Sequence, residues 1–264
     1  ARGVVVAGIS ALTARILMFA AFAVLFYRSL RYRRYLVGYK RGKYNFTDIL
    51  SLNKMGWMVG LQMGLETALF SITGIMIGWL GSIALAAHQV MVAISTLGFM
   101  IYYGVGAAVS VRVSNYFGRQ DLLHVRRTTM AGFHLILCLA VCACTVFLFS
   151  RELIGYLFTT SEEVIRVVST LVYILLAYQF GDALQITYAN SLRGIGAVIS
   201  MAVISFIGYF LIAMPVCYIC GFVLEWGITG IWIGYPIGLT LTGVMLCGRY
   251  YWKLKTKTQS KEFY

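Results

Sequence analysis

Acidic residues are scarce in this chain: nine Asp and Glu stand against 22 Lys and Arg in 264 residues, with three histidines. No group of His, Cys and acidic side chains has metal-ligand spacing, and no nucleophile has an evident base beside it. A phosphate-cradling P-loop is missing, which removes ATP as a direct energy source. These absences argue against an enzyme. Prolines number only two, Pro215 and Pro236, and charged residues make up 12% of a chain that is 60% hydrophobic, a balance that excludes an ordinary soluble domain.

What remains is a set of long apolar runs. Seven can be traced: Val4 to Tyr27, Met55 to Leu80, Val90 to Val111, Ala131 to Phe149, Val164 to Tyr188, Ala197 to Cys220 and Ile228 to Gly248. Each is continuous over about twenty residues, long enough for a helix to cross a hydrocarbon core of about 30 Å, whereas barrel strands would alternate in polarity over about ten. The expected fold is an all-α integral membrane protein with seven transmembrane helices, in contact with membrane lipids. The net charge of +13 does not point to nucleic acid, because the basic residues sort by loop. Arg28, Arg31, Arg33, Arg34, Lys40, Arg41, Lys43 and Lys54 follow the first run, Arg112, Arg119, Arg126 and Arg127 the third, Arg193 the fifth and Arg249 to Lys261 the seventh. The opposite side holds Arg2, Arg151 and Arg166, and Arg15 lies inside the first run. By the positive-inside rule the N-terminus is expected outside and the C-terminus in the cytoplasm.

Two carboxylates break the pattern. Glu66 and Asp182 fall deep inside apolar runs, where a charge costs about 2.5–3.5 kcal/mol on insertion scales and marks a functional site by default. Fifteen residues separate Glu66 from Gly81 and fifteen separate Val167 from Asp182, so both lie about 22 Å from the outer ends of their antiparallel helices. One shared site is expected. Gln62 and Phe70 flank Glu66 by one helical turn, and Tyr178 and Gln185 flank Asp182. Such a set can hold a proton, a small cation or a cationic drug, with aromatic faces adding cation-π attraction; a structural polar clamp is the alternative.

Other signals concern packing and helix ends. Gly56, Gly60 and Gly64 have small-xxx-small spacing, which predicts close helix approach. The six cysteines read as packing residues, although Cys217 and Cys220 form C-x-x-C. His134 reads as an interhelical hydrogen-bond partner. Thr47 or Asp48 is expected to cap a short surface helix before the second span, Gln120 to Arg127 to form another, and Thr160 with Glu163 to make a capping box near Ser161. The basic, tyrosine-rich stretch RSLRYRRYLVGYKRGKYNF is expected to lie on an anionic inner leaflet. The chain opens on Ala-Arg-Gly, without an initiator Met or a signal peptide, and is read as part of a longer parent.

The segment from Lys54 to Asp121 resembles the C-terminal half of multidrug and toxic compound extrusion (MATE) transporters of the NorM-like branch. The likeness rests on the Glu within its helix, on Ala86-Ala87-His88-Gln89, on Val111-Arg112-Val113-Ser114 and on Gly118. Farther on, Phe180-Gly181-Asp182-Ala183-Leu184-Gln185 and Ser191-Leu192-Arg193-Gly194 match that family's tenth helix and the loop after it. The resemblance implies that residues 1–27 are the last helix of a missing N-terminal lobe, 28–54 a basic cytoplasmic linker, 55–252 a six-helix C-terminal lobe and 253–264 a cytoplasmic tail. It further implies export of organic cations or drugs against inward Na+ or H+ across a bacterial inner membrane, with no other cofactor. Glu66, Asp182, Tyr178 and Phe70 would form the coupling-cation site, the only metal expected being Na+ at the two acids. Gln89, Gln62, Phe99 and Gln185 would line the substrate path. His88 would cap backbone groups at a helix junction, and Met58 stands where the family commonly has Pro, predicting a straighter second span. Two rival readings are an exporter of another solute or lipid-linked cargo on the same fold, and a seven-helix receptor; a retinal protein is excluded because the seventh run has no lysine. Half a cavity cannot alternate access, so the 264 residues alone are expected not to export.

Overall fold

The computed structural model describes residues 2–29 and 45–262, nearly all of them helical. The helices are α1 (Arg2–Arg28), α2 (Phe46–Gly78), α3 (Ser82–Gly118), α4 (Leu122–Phe149), the short α5 (Arg151–Phe158), α6 (Glu162–Gly194), the mixed helix α7 (Val198–Val223) and α8 (Gly227–Glu262). All but α5 are long and apolar enough to cross a membrane, giving seven spans. The chain divides into two units, Ala1–Leu52 and Asn53–Tyr264; the first holds α1 and the start of α2. The basic stretch expected on the inner leaflet falls largely at 30–44, outside the described residues.

The helices outrun the apolar runs that betray them. The third run predicts a span ending at Val111, whereas α3 continues through Arg112, Ser114 and Asn115 to Gly118, because a helix satisfies its own backbone wherever its side chains lie. The separate surface helices expected before the second and fourth spans are absorbed into α2 and α4 for the same reason. Asn45, rather than Thr47 or Asp48, holds the start of α2, its Oδ1 accepting from the Thr47 backbone N–H at 3.2 Å. Asp121 caps α4, accepting from the His124 N–H at 3.1 Å; that bond holds its carboxyl below the usual carboxylate range. No capping box forms at Thr160. Ser161 is the N-cap of α6 without a side-chain cap bond, and its own N–H donates to Thr159 Oγ1. Tight turns at Gly81 (φ 112°) and Gly196 (φ 72°) reverse the chain before α3 and α7, a backbone conformation that glycine adopts without steric cost.

Within Asn53–Tyr264, α6 is the hub, packing most extensively against α8 and α3 and also against α4. The close-packed glycine ridge lies on α8. A Cβ at Gly230 would meet the Cys220 carbonyl oxygen at 2.2 Å, one at Gly234 the Cys217 Sγ at 2.3 Å, and one at Gly238 the Ala213 Cβ at 2.3 Å. These partners belong to α7, which contains two π-helical segments, Ile207–Ala213 and Ile219–Val223, among its α-helical turns. By contrast, Gly56, Gly60 and Gly64 on α2 have nothing within 4 Å, so the small-residue stripe picked out by spacing is open within this unit. Helix α2 reaches its neighbours through long side chains rather than close backbone contact.

Two further expectations are corrected. His134 is exposed, and its Nδ1 pairs with Met130 O one turn back on its own helix at 2.7 Å, not across helices. Cys217 is buried against α8, as packing requires, but Cys138 and Cys142 are exposed; all six thiols are free.

Candidate functional site

Glu66 stands on the inner face of α2, half-buried, at the wall of a cavity of about 260 Å³ between α2, α3 and α6. Phe70 and Thr67 line the cavity from α2, Ser95 and Phe99 from α3, and Tyr178 from α6. One carboxylate oxygen, Oε2, accepts from Gln62 Nε2 at 3.1 Å and from the Tyr209 hydroxyl at 3.4 Å. The Tyr209 oxygen in turn accepts from Gln185 Nε2 at 2.7 Å. Gln62 precedes Glu66 by one turn, so a single helix face presents both groups.

Asp182 is fully buried on α6, and neither of its oxygens has a hydrogen-bond partner among the described residues. It lies within electrostatic reach of Glu66 and of Tyr178. The two acids have opposite surroundings: Glu66 meets donors and the cavity, Asp182 is sealed. Nearby polar atoms are orphaned too, namely both amide atoms of Gln179, the Tyr102 hydroxyl and Gln185 Oε1. A buried polar group without a partner costs about 1–3 kcal/mol, so a cluster of them is an unfavourable arrangement that packing alone does not explain.

Phe70 stacks on Tyr235 of α8 with ring centroids 4.8 Å apart and 19° between planes. Tyr235 hydrogen-bonds with Thr73 and meets Trp232 edge-on at 5.1 Å, and Trp232 meets His88 at 5.8 Å. His88 packs in this aromatic row rather than capping a helix end as expected: it sits inside α3, and its Nδ1 has no hydrogen-bond partner among the described residues. Gln89 is exposed and lines a neighbouring cavity of about 480 Å³ that shares Thr67, Phe70 and Val92 with the first. Phe99 touches both the main cavity and a small void of about 20 Å³ beneath it, where Gln62, Gln185, Asn190 and Arg193 also converge.

Sequence reasoning missed three contributors. Arg193 counts there as a loop cation, yet it ends α6 half-buried, its guanidinium donating to Asn190 Oδ1 at 3.2 Å and to Gln62 Oε1 at 3.4 Å. Tyr209 lies in a π-helical segment, so its facing cannot be read by counting in 3.6. Tyr235 could be found only through its contact with Phe70. We expect Tyr209→Phe, which removes the link between Gln185 and Glu66, to lower stability by about 1 kcal/mol in detergent melting; an unchanged melt would mean the hydroxyl is replaced by water at no cost.

Comparison with known proteins gives a consistent set of likenesses. The MatE family model matches residues 59–219. The multidrug resistance protein NorM of Photobacterium profundum is 34% identical over 220 residues, covering 81% of this chain and 47% of that protein. The probable multidrug resistance protein NorM of Xylella fastidiosa strain Temecula1 is 32% identical over 243 residues, covering 92% and 52%. The crystal structure of the eukaryotic MATE transporter AtDTX14 superposes with a TM-score of 0.79 at 19% identity, over 91% of this chain and 56% of that one. This chain spans about half the length of the curated relatives it matches.

Proposed function

Because the chain belongs to the MatE family, we propose that it is the C-terminal half of a secondary multidrug efflux antiporter, exporting organic cations or drugs in exchange for Na+ or H+. It is an integral membrane protein; on this reading it sits in a bacterial inner membrane with its C-terminus in the cytoplasm, and an N-terminal lobe completes the cavity. The observation that carries the reading is the position of Glu66: a carboxylate at the wall of a membrane-level cavity, half-buried among donors, with a second carboxylate sealed behind it. Tyr178 and Phe70 supply the aromatic wall beside it, and Gln62, Gln185, Phe99 and Gln89 the polar and aromatic lining of this and the adjoining cavity.

Coupling follows from how α2 is held. Its attachment runs through side chains, Glu66, Gln62, Phe70 and Thr73 beside the buried Leu69, Met76 and Ile77, rather than through close backbone packing. A cation or proton arriving at Glu66 changes the Tyr209 bond that ties α2 to α7 and the Gln62 bond beside it, and so shifts the balance between arrangements of the bundle. The test is drug efflux from vesicles by the two-lobe protein under separate sodium and proton gradients. Glu66→Gln is expected to reduce gradient-driven export to the level of empty vesicles with abundance unchanged. Normal export by that variant under both gradients would reduce Glu66 to a structural clamp.

A further inference from the structure

The geometry points to a binding site for an anionic phospholipid at the basic end of the bundle, where Arg112, Arg127 and Thr128 hold the headgroup phosphate and an acyl chain lies in the trough between α3 and α4. The site shares no residue with the cavity beside Glu66, and it stands whether or not that carboxylate couples transport.

The trough begins with small residues where the two helices meet. Gly132 of α4 is buried against Val109 of α3, and a Cβ there would meet Val109 Cγ2 at 2.3 Å. That closeness draws the backbones together, and the flanking Ala108 and Ala131 are too short to fill the surface above them. The result is a cavity of about 370 Å³ with an apolar floor running from Val105 to Leu135 and a polar mouth of Arg112, Arg127 and Thr128. Both arginines stand at one level, Arg112 six residues before the end of α3 and Arg127 five after the start of α4. Val105 and Leu135 lie seven and eight residues deeper, about 10–12 Å at the rise of a helix. That is most of one leaflet's share of a hydrocarbon core about 30 Å thick. A ligand with a chain uses the whole trough, whereas a bare anion would use only the mouth.

Charge supplies the other half of the argument. Neither Arg112 nor Arg127 makes a hydrogen bond or ion pair among the described residues, and the Thr128 hydroxyl is equally unengaged there. Other arginines at this end are occupied: Arg126 covers the Tyr251 ring at 5.5 Å, Arg249 donates to Ser200 Oγ at 3.0 Å, and Arg193 donates to Asn190 and Gln62. Between Arg112 and Leu135 the sequence holds a single acid, Asp121. Arg127 lies within its electrostatic reach, but its two oxygens already meet the His124 backbone N–H at 3.1 Å and the His124 ring Nδ1 at 2.6 Å. Two guanidiniums and a hydroxyl donor match the oxygens of a phosphate, and basic pockets between membrane spans are where anionic headgroups lodge. A zwitterionic lipid offsets its phosphate with its own ammonium, so the mouth selects net negative charge.

The test is native mass spectrometry of the purified chain in neutral detergent, comparing dioleoyl phosphatidylglycerol with dioleoyl phosphatidylcholine, and using glycerol phosphate as a headgroup without chains. Each basic residue beside an anionic headgroup is worth a factor of about five in binding. The protein is therefore expected to retain one phosphatidylglycerol at least about tenfold more tightly than phosphatidylcholine, and Arg112→Gln combined with Arg127→Gln to weaken that retention by at least about tenfold. Arg119→Gln combined with Arg126→Gln removes the same charge from the same end without touching the cavity, and retention is expected to stay within about twofold, since more distant charges are screened by salt. Ala131→Leu keeps every charge but fills the trough, and is expected to lose retention as the Arg112 and Arg127 pair does. Excess glycerol phosphate is expected not to displace the lipid. Should the Arg112 and Arg127 pair fail to fold, Ala131→Leu reads the same site independently. Equal retention of the two lipids, equal loss from the two arginine pairs, unchanged retention in Ala131→Leu, or displacement by glycerol phosphate overturns the assignment, the last by making the site one for a soluble anion. The same selectivity is expected of the two-lobe protein; its loss there would show that the N-terminal lobe fills the trough and would overturn the assignment equally.

Discussion

An Asp182→Asn chain is expected to melt higher than its parent, by about 1–3 kcal/mol, while the two-lobe protein carrying the change loses gradient-driven export. The stability gain follows from the burial of Asp182 with no donor on either oxygen. An ionised carboxylate in that position would lack the hydrogen bonds that repay its removal from water, and the like charge of Glu66 bears on it as well. Asparagine fills nearly the same volume and removes the charge. Its amide remains unsatisfied in part, which keeps the gain below the full cost of the buried ion. Loss of export follows because a neutral side chain offers no place for the incoming proton or cation. A protein more stable and less active is the signature of a site that keeps an unfavourable group for function. Thermal unfolding of this chain in detergent, beside vesicle transport by the two-lobe protein, measures both halves. A lower melting point would show that Asp182 has structural partners and would remove the main reason for placing it in the site.

Gly230→Val is expected to cost at least about 3 kcal/mol and to cut the yield of folded protein severely. The added Cβ would lie 2.2 Å from the Cys220 carbonyl oxygen, 2.4 Å from its carbon and 2.9 Å from the Gly221 nitrogen. These are backbone atoms and cannot swing aside, so α8 must move away from α7, taking with it the contacts of Gly234 and Gly238. Overpacking usually costs about 1–3 kcal/mol when side chains can adjust; here they cannot. Gly56→Val, made in parallel, meets nothing within 4 Å and is expected to change the melt by less than about 0.5 kcal/mol. Equal effects of the two substitutions would mean that the stripe on α2 is packed after all.

That contrast shows where the sequence was legible and where it was not. Length and apolarity suffice to read seven spans, because lipid forces every backbone group to be paired within its own helix. The two acids are conspicuous for the same reason: nothing else charged lies so deep in the runs after the first. Spacing alone, however, cannot tell an occupied glycine stripe from an open one, since Gly56, Gly60 and Gly64 repeat by four just as Gly230, Gly234 and Gly238 do. Arg193 was legible as a charge but not as a ligand of Gln62, for a residue at a helix end can point to water or fold back. His88 sits where a cap is wanted by resemblance, yet α3 begins at Ser82 and carries it inside. Tyr209 was hidden most deeply, because its direction depends on a turn that no ordinary helical count anticipates.

Beyond the first turns of α7, the buried Tyr209, Ala213, Cys217 and Gly221 recur every four positions, with Gly208 buried beside the first of them. In a regular α-helix each step of four over-rotates by about 40°, so three steps would carry Gly221 about 120° away from the line of Tyr209. The π-helical turns are wider and absorb that drift. They act as phase corrections, keeping the tyrosine that meets Glu66 and the small residues that meet α8 on a single meridian of the helix. The sequence of α7 is therefore written in fours: removing one residue between Tyr209 and Gly221 would leave its composition almost unchanged, yet swing everything beyond the deletion by about 100° and part the two helices.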